Sequence, residues 1–181
     1  MTSHRKVLAL LASSHAVIHM IMGIMAVTMP TIVRELGASF TQVGIMRGAQ
    51  ALSAGAGSVA GGLATDLIGK RKQLLVLSLL WPTVFVFLGG FSPSFLYFAL
   101  FMVVRELLGG FLWHPPAMAT IAEMFPGRKA FGFSLHEAGA NIGSSVGPLV
   151  TGFLLTYISW RMIYHGYLIP GLATGMMIWP G

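Results

Sequence analysis

The chain has 181 residues, of which 55% are hydrophobic and 9% are charged, and it contains no cysteine. An average soluble domain has about 25% charged residues, so this composition excludes a soluble domain and favours an integral membrane protein. The absence of cysteine excludes disulfides, thiol nucleophiles and thiolate metal sites. The chain has 11 basic residues against 5 acidic ones, but nucleic-acid binding needs a soluble basic face, so we interpret this excess as a determinant of membrane topology.

Six apolar stretches that are poor in charge follow one another along the chain. Stretches of about 20 such residues predict membrane-spanning helices, here at residues 7–29, 41–65, 73–91, 95–119, 130–157 and 162–179. Membrane strands would alternate apolar and polar residues over about 10 positions, and the sequence has no such alternation. The sequence therefore predicts an all-α integral membrane protein in which residues 1–181 form a single six-helix transmembrane bundle within the lipid bilayer.

Basic residues are concentrated in alternate loops of this arrangement. One side has Arg5, Lys6, Lys70, Arg71, Lys72, Arg128 and Lys129, and the other has Arg34, Arg47 and Arg161. Because Lys and Arg accumulate on the cytoplasmic side, both termini are expected in the cytoplasm. The start of the chain also resembles a secretory signal with a cleavage site near Ala12, but the apolar run continues to Met29 and favours an uncleaved span.

Polar residues inside the predicted spans indicate which helices face a cavity. They are His15 and His19 in the first span, Arg47 and Gln50 in the second, Arg105, Glu106 and His114 in the fourth, and His136, Glu137 and Asn141 in the fifth. Such groups are costly in lipid and normally face protein or water. We expect the first, second, fourth and fifth spans to line a cavity, and the third and sixth to face lipid.

A weak internal similarity relates the two halves of the chain. At an offset of 86 residues, the first span aligns with the fourth, with His19 opposite Arg105 and Gly23 opposite Gly109. Three helices repeated in opposite orientation are typical of transporters. The sequence therefore predicts a 3+3 inverted repeat.

The loop between the second and third spans contains a spaced motif. Its residues Gly62, Asp66, Gly69, Lys70 and Arg71 are in register with the signature loop of the major facilitator superfamily, which they resemble. Ala64 and Leu67 depart from that signature, and the loop also satisfies the plain rule for a basic cytoplasmic loop. We expect Gly69 to form the tight turn and Asp66 to accept hydrogen bonds from backbone amides at a helix start, as part of a cytoplasmic gate.

The fourth span contains a buried arginine. Arg105 through Gly109 resembles the Arg-x-x-x-Gly motif of the same family, and that resemblance implies that the arginine takes part in coupling and substrate handling. Glu106 lies about 100° around the helix from Arg105, so the sequence does not predict it as the partner of Arg105.

Small residues recur on one side of the fifth span. The motif consists of Gly139, Gly143, Gly147, Pro148 and Gly152. Glycines at this spacing allow helices to pack closely, and that explanation suffices physically. The segment also resembles a motif of the superfamily that is best known from its antiporters. The resemblance therefore extends over nearly the whole chain.

A looser resemblance links the chain to bacterial fosmidomycin-resistance-type members. The residues that carry it are His15, His19, Trp113, His114, Pro115, Leu135, His136, Asn141, Ile142 and Gly143. This resemblance implies a bacterial inner-membrane protein that exports or exchanges small, often anionic compounds.

Metal binding, cofactors and enzymatic chemistry are not predicted. His15 and His19 share a helix face, but the sequence shows no third ligand beside them. His136-Glu137 begins like a zinc-protease motif and fails at Ala140. The five acidic residues are scattered over separate segments, so no catalytic group is evident.

The resemblance implies transport of a small solute by alternating access between two six-helix bundles, as proton-coupled secondary transport or drug efflux. Arg47, Arg105 and the histidines would attract an anionic or zwitterionic substrate, and Glu106 or Glu137 would carry a coupling proton. The chain is expected to be an amino-terminal half that pairs with itself or with a second half, or a truncated form. The alternative is a non-transporting membrane subunit or inactive fragment, for which the glycines of the fifth span would provide a docking face.

Overall fold

The computed structural model describes residues 2–179, and their regular structure is helical. The helices are α1 (Thr2–Leu36), α2 (Phe40–Ile68), α3 (Arg71–Gly89), α4 (Phe95–Leu108), α5 (Gly110–Met124), α6 (Lys129–Leu154), α7 (Trp160–Gly166) and α8 (Leu168–Ile178). The predicted all-α class is confirmed.

These helices form six consecutive segments when α4 is taken with α5 and α7 with α8. Within residues 2–179, four segments are both long and apolar enough to cross a membrane, namely His4–Leu36, Phe40–Ile68, Arg71–Gly89 and Phe95–Met124. The fifth segment, α6, has 26 residues, which is sufficient length. It also contains His136, Glu137 and Asn141, which lower its mean hydropathy.

Local chemistry explains where several helices begin and end. Ser39 and Gln42 cap α2 reciprocally. The Ser39 hydroxyl accepts from the backbone N–H of Gln42 at 3.2 Å, and the side-chain oxygen of Gln42 accepts from the backbone N–H of Ser39 at 2.8 Å. Gly37 and Gly69 follow α1 and α2 with φ of +65°, a conformation that glycine adopts without steric cost. The turn expected at Gly69 is therefore present.

The fourth segment is broken near its middle. Gly109 ends α4 and begins α5, with φ of −70° and ψ of −139°. A Cβ atom at this position would lie 2.8 Å from the Arg105 carbonyl oxygen. The predicted span 95–119 contains this break, and the helical segment runs five residues further, to Met124.

The small residues of α6 lie against α1. A Cβ atom on Gly139 or Gly143 would collide with the backbone carbonyl of Ala12 or Ala16, and one on Gly147 would lie 2.8 Å from the Cα of Met20. Pro148 and Gly152 continue the contact, facing Gly23 and Val27. The α1 and α6 backbones therefore approach as closely as glycine permits.

Two apolar clusters lie along α1. One contains Leu11 and Ile18 with Trp113 of α5, and the other contains Ile21 and Met25 with Phe98 and Tyr164 of α4 and α7, among others. The two clusters meet between residues 18 and 21. This position places His19 where the apolar packing changes from one cluster to the other.

Candidate transport site

The polar residues predicted from the sequence lie at similar depth in the bundle. His19 is central in the 35-residue helix α1, and Arg105 and His114 lie on either side of the break at Gly109. His136 and Asn141 occupy the first half and the middle of α6. A site near mid-depth is where transporters bind their substrates.

Four histidine rings from three helices form a compact cluster, here called the histidine cluster: His15 and His19 of α1, His114 of α5 and His136 of α6. The His15 ring stacks on the His136 ring with centroids 4.0 Å apart and planes at 12°. The His19 and His114 rings meet it edge-on, with centroids 4.7 and 5.0 Å away. The structure thus places two further histidines beside the α1 pair, which the sequence alone did not predict.

Hydrogen bonds connect the histidine cluster to α6 at both ends. His15 Nδ1 lies 3.1 Å from the His136 carbonyl oxygen, His19 Nε2 lies 3.2 Å from His15 Nε2, and His19 Nδ1 lies 3.0 Å from Ser144 Oγ. A carbonyl oxygen can only accept, so His15 Nδ1 carries the proton there. In its neutral form, the His15 ring then presents a bare Nε2 to His19.

Arg105 and Glu106 form an ion pair, which corrects the sequence interpretation of Glu106. Arg105 Nε and Nη2 both donate to Glu106 Oε1, the first at 3.2 Å. Both residues are buried, at 3% and 6% exposure. The angle between neighbouring helical residues separates their Cβ atoms, but the arginine side chain is long enough to curl back to the next residue.

Gln50 of α2 joins this ion pair to neighbouring helices. Its amide donates to the Met102 carbonyl at 3.2 Å and to Glu106 Oε1 at 3.5 Å, and it lies 3.7 Å from the Met25 sulfur. Arg47, exposed one turn earlier on α2, donates to the Gln50 side-chain oxygen at 3.4 Å. Met25 is about 9 Å beyond His19 along α1, so one helix contributes to both polar groups.

Six side-chain atoms within the described residues are buried without a hydrogen-bond partner. Three of them lie at the site, namely Arg105 Nη1 and both ring nitrogens of His136, and the others are Ser92 Oγ, Trp113 Nε1 and His165 Nε2. Buried donors and acceptors are normally paired, and leaving one unpaired costs about 1–3 kcal/mol. Unpaired groups beside a cluster of ionisable residues are typical of a site that binds a ligand.

The exposed polar residues of α6 share one stripe. Glu137, Asn141 and Ser144 are spaced four and three residues apart, which places them on one helix face, and all three are exposed. Ser144 contacts His19. This stripe is therefore an open edge of the histidine cluster.

The predicted gate motif lies at the turn between α2 and α3. Gly62 is in α2, and Gly69, Lys70 and Arg71 form the turn and the start of α3. Asp66 lies in the last turn of α2, because that helix continues to Ile68, and not at a helix start as expected.

An ion pair that the sequence analysis missed connects the start of α3 with the end of α5. Arg71 donates to both carboxylate oxygens of Glu123, at 2.5 and 2.7 Å. The only available signal in the sequence was the acidic residue itself, at the end of the fourth apolar stretch.

A second missed network lies at the opposite end of the bundle. Glu35, in the last turn of α1, accepts from the Trp160 ring nitrogen at 2.7 Å and from Arg161 at 3.0 Å. Arg161 also donates to the carbonyls of Gly90 and Ser92. These bonds connect α1, the loop after α3 and the start of α7.

Charged and polar groups gathered at mid-depth of an apolar helix bundle are typical of membrane transporters. The family model of the Major Facilitator Superfamily matches residues 11–180. The chain belongs to the major facilitator superfamily.

The curated relatives are transporters from several organisms. A probable hexose phosphate transport protein of Chlamydia pneumoniae is 27% identical over 149 residues, which is 82% of this chain and 32% of the relative. The multidrug efflux protein YfmO of Bacillus subtilis is 32% identical over 80% of this chain and 36% of the relative. A probable sulfoacetate transporter of Cupriavidus necator is 28% identical over 79% and 36%. The chain spans about a third of the length of these relatives.

A solved structure has the same fold. A bacterial homolog of the human lysosomal transporter Spinster, in an inward-facing conformation, superimposes with a TM-score of 0.82 at 18% identity, covering 97% of this chain and 42% of that one. The relatives and the family are transporters and not enzymes, in agreement with the sequence analysis.

Proposed function

We propose that this chain is the amino-terminal six-helix half of a transporter that moves a small solute by alternating access, together with a second six-helix bundle. The observation that carries the proposal is the pair of polar groups at mid-depth, the histidine cluster and the Arg105–Glu106–Gln50 group. The open stripe of Glu137, Asn141 and Ser144 supports it, because in lipid these side chains would be costly. A second bundle, from another copy or another half, would cover them.

The ion pairs at the two ends support the predicted 3+3 inverted repeat. In such a repeat the first segment corresponds to the fourth, and the third to the sixth. Glu123 at the end of the fourth segment pairs with Arg71 at the start of the third. Glu35 at the end of the first segment pairs with Arg161 at the start of the sixth, which is the same relation after exchange of the halves.

Two close glycine contacts are also related by the exchange of the first three segments with the last three. In the second segment, a Cβ atom on Gly57 would collide with the Leu107 carbonyl of the fourth. In the fifth segment, a Cβ atom on Gly143 would collide with the Ala16 carbonyl of the first. Exchanging the first with the fourth segment and the second with the fifth turns one contact into the other.

An anionic substrate fits the chemistry of Arg105. Its Nη1 is buried and has no partner among the described residues, so it can donate to a carboxylate, sulfonate or phosphate. Exposed Arg47 adds positive charge on the neighbouring helix. The names of several relatives specify anions, namely hexose phosphate, sulfoacetate and hexuronate, and we extend that class to this chain.

Glu106 is the proposed carrier of the coupling proton. An anion bound to Arg105 competes with Glu106 for the guanidinium, and a carboxylate released in an apolar interior can accept a proton. Arg105 and Arg47 are the charged groups near Glu106. The alternative role of Glu137 as the proton carrier stays a prediction from the sequence.

The proposal also includes the orientation of the chain in the membrane and the direction of transport. The motif from Gly62 to Arg71 would lie at the cytoplasmic gate, with both termini in the cytoplasm of a bacterial inner membrane, since the basic residues are concentrated at that end. Efflux is the proposed direction, supported by YfmO among the relatives.

Proteoliposomes that enclose a pH-sensitive dye test this function. The purified chain is reconstituted at a density at which two copies meet, and hexose phosphate or sulfoacetate is added outside. We expect anion-dependent proton movement in the wild type and in the control Arg34→Ala, whose side chain is exposed outside the site. Arg105→Met should abolish it, whereas Glu106→Gln should uncouple proton movement from anion movement. Wild-type vesicles that respond to neither anion, or an Arg105→Met variant with wild-type flux, would contradict the proposal.

The alternative of a non-transporting subunit loses its structural support. It requires the glycines of α6 as a docking face, but Gly139, Gly143 and Gly147 are buried against α1 within the chain.

A further inference from the structure

The histidine cluster has a geometry that neither transport of an organic anion nor apolar packing requires. His15 and His19 lie one helical turn apart on α1, and His114 approaches them from α5. Their ligand nitrogens all lie within 4.8 Å of one another. A buried, neutral pair of imidazoles could be satisfied by two hydrogen bonds, so three convergent rings need another explanation.

The α1 pair already has the spacing of two metal ligands. A tetrahedral Zn²⁺ ion binds imidazole nitrogen at 2.0–2.1 Å, which places two such nitrogens about 3.3 Å apart. The Nε2 atoms of His15 and His19 are 3.2 Å apart. An ion between them would need only a small outward displacement, with the ring of partly exposed His114 turning to complete the set.

Neighbouring hydrogen bonds orient these rings as they do in metal sites. The Nδ1 proton of His15 is held by the His136 carbonyl at 3.1 Å, which leaves Nε2 bare. Backbone carbonyls and similar acceptors fix metal-binding histidines in this way. Ser144 Oγ lies 3.0 Å from His19 Nδ1 and can accept a hydrogen bond from the Nδ1 proton when the ion replaces the hydrogen bond between the two Nε2 atoms.

We propose that His15, His19 and His114 bind a first-row divalent transition-metal ion such as Zn²⁺ or Co²⁺. The fourth position faces α6, where Glu137 is available. Its carboxylate lies within 4.8 Å of ring nitrogens of His15 and His136, and it can bind the ion or neutralise part of its charge. His136, buried and unpartnered, stacks on His15 and holds that ring in place. Three histidines with nearby carboxylate or water are a set that this class of ion accepts.

Direct metal binding by the purified chain tests the proposal. The protein is prepared with a tag that lacks histidine, stripped with a chelator, and titrated with Co²⁺ in detergent while the visible absorption is recorded. We expect one Co²⁺ per chain with the intense band of a four- or five-coordinate site, and full displacement by Zn²⁺. No band and no bound cobalt in the wild type would overturn the proposal.

Single variants identify the ligands. His19→Ala and His114→Gln should each lose the band, and Ser144→Ala should weaken binding by about tenfold, as expected for a group that orients a ligand. His4→Ala, an exposed histidine at the start of α1, is the matched control and should bind as the wild type. Wild-type binding by His19→Ala would also overturn the proposal.

The loss of a ligand must be distinguished from the loss of the fold, and the metal site from the proposed function. Thermal unfolding of each variant, followed by tryptophan fluorescence, shows that a lost band does not reflect a lost fold. Binding is measured without transport, so a chain that moves no anion and still binds Co²⁺ would refute the proposed function and leave the metal site standing.

Discussion

At the scale of single residues, the buried pair of Arg105 and Glu106 dominates the energetics of the site. Removing two charges from water is costly, and their mutual attraction offsets that cost only when both are present. The pair is therefore not a source of net stability, its two members depend on each other, and we attribute its presence to the proposed transport.

Changing one member should destabilise the fold more than changing both. Glu106→Leu leaves the Arg105 charge buried and uncompensated, and we expect a loss of about 3–5 kcal/mol in the free energy of unfolding. The double variant Arg105→Met, Glu106→Leu should regain most of it, while remaining inactive in the vesicle assay. The measurement is the unfolding transition in detergent, and a double variant as unstable as the single one would contradict this account.

The pair of Arg71 and Glu123 should behave differently, because its side chains are 34% and 66% exposed. Exposed ion pairs contribute little to stability and are screened by salt. Glu123→Gln should therefore leave the unfolding temperature nearly unchanged, and any difference from the wild type should vanish in high salt. A large loss of stability at all salt concentrations would show that this contact holds α3 and α5 together.

Residue positions were easier to predict than their partners. The polar residues of the apolar stretches could be found from the sequence, because each is costly in lipid. The Arg105–Glu106 pair was not, since helical angles describe where side chains start and not how far a long one reaches. His114 joins His15 only through the packing of α5 on α1, which no local spacing reveals.

At the scale of helices, the contact of α1 with α6 depends on backbone approach. Glycines remove the side chains that would separate the two backbones, and in lipid such close packing replaces the hydrophobic effect as the force that joins helices. The same contact brings His15 and His19 of α1 to His136 and Ser144 of α6. The packing of α1 on α6 therefore also assembles the histidine cluster.

Adding a single methyl group should test this. Gly143→Ala forces α6 away from the Ala16 carbonyl, and overpacking of this kind costs about 1–3 kcal/mol. Gly55→Ala is the control, because nothing lies within 4 Å of a Cβ atom there. Thermal unfolding should show a lower midpoint for the first variant only, and equal midpoints would mean that the helices separate freely.

Helix ends were predicted only roughly, for a physical reason. An uncharged apolar run marks where a helix crosses lipid, whereas the helix itself continues into water until a cap or a glycine stops it. Gly37 and Gly69 end α1 and α2 beyond the predicted spans 7–29 and 41–65. The break at Gly109 lies inside an apolar run, so hydropathy gave no sign of it.

At the scale of the whole molecule, the distribution of exposed residues indicates where a second bundle would lie. The outward surface of α6 mixes polar residues such as Asn141 with large apolar ones such as Ile142, whereas the exposed surface of α8 is apolar, with Ile169, Met176 and Met177. Lipid suits the second surface better than the first.

Cysteine cross-linking distinguishes the two surfaces, and the chain is suited to it because it has no native cysteine. Asn141→Cys should form a disulfide-linked dimer in membranes if two copies pair through α6, whereas Met177→Cys should not. Mass measurement in detergent, corrected for bound detergent, should then give a dimer for the wild type. Equal cross-linking at both positions, or a monomer, would exclude pairing of this chain with itself.

The two consecutive prolines of α5 affect the electrostatics of the broken segment. Pro115 and Pro116 have no amide hydrogen, so the carbonyl oxygens of residues 111 and 112 receive no helical hydrogen bond from them. Both oxygens lie within one turn of His114, on the side of the break away from Arg105. The main chain itself thus adds two electron-rich oxygen atoms beside His114 that the regular helical hydrogen bonds leave unused.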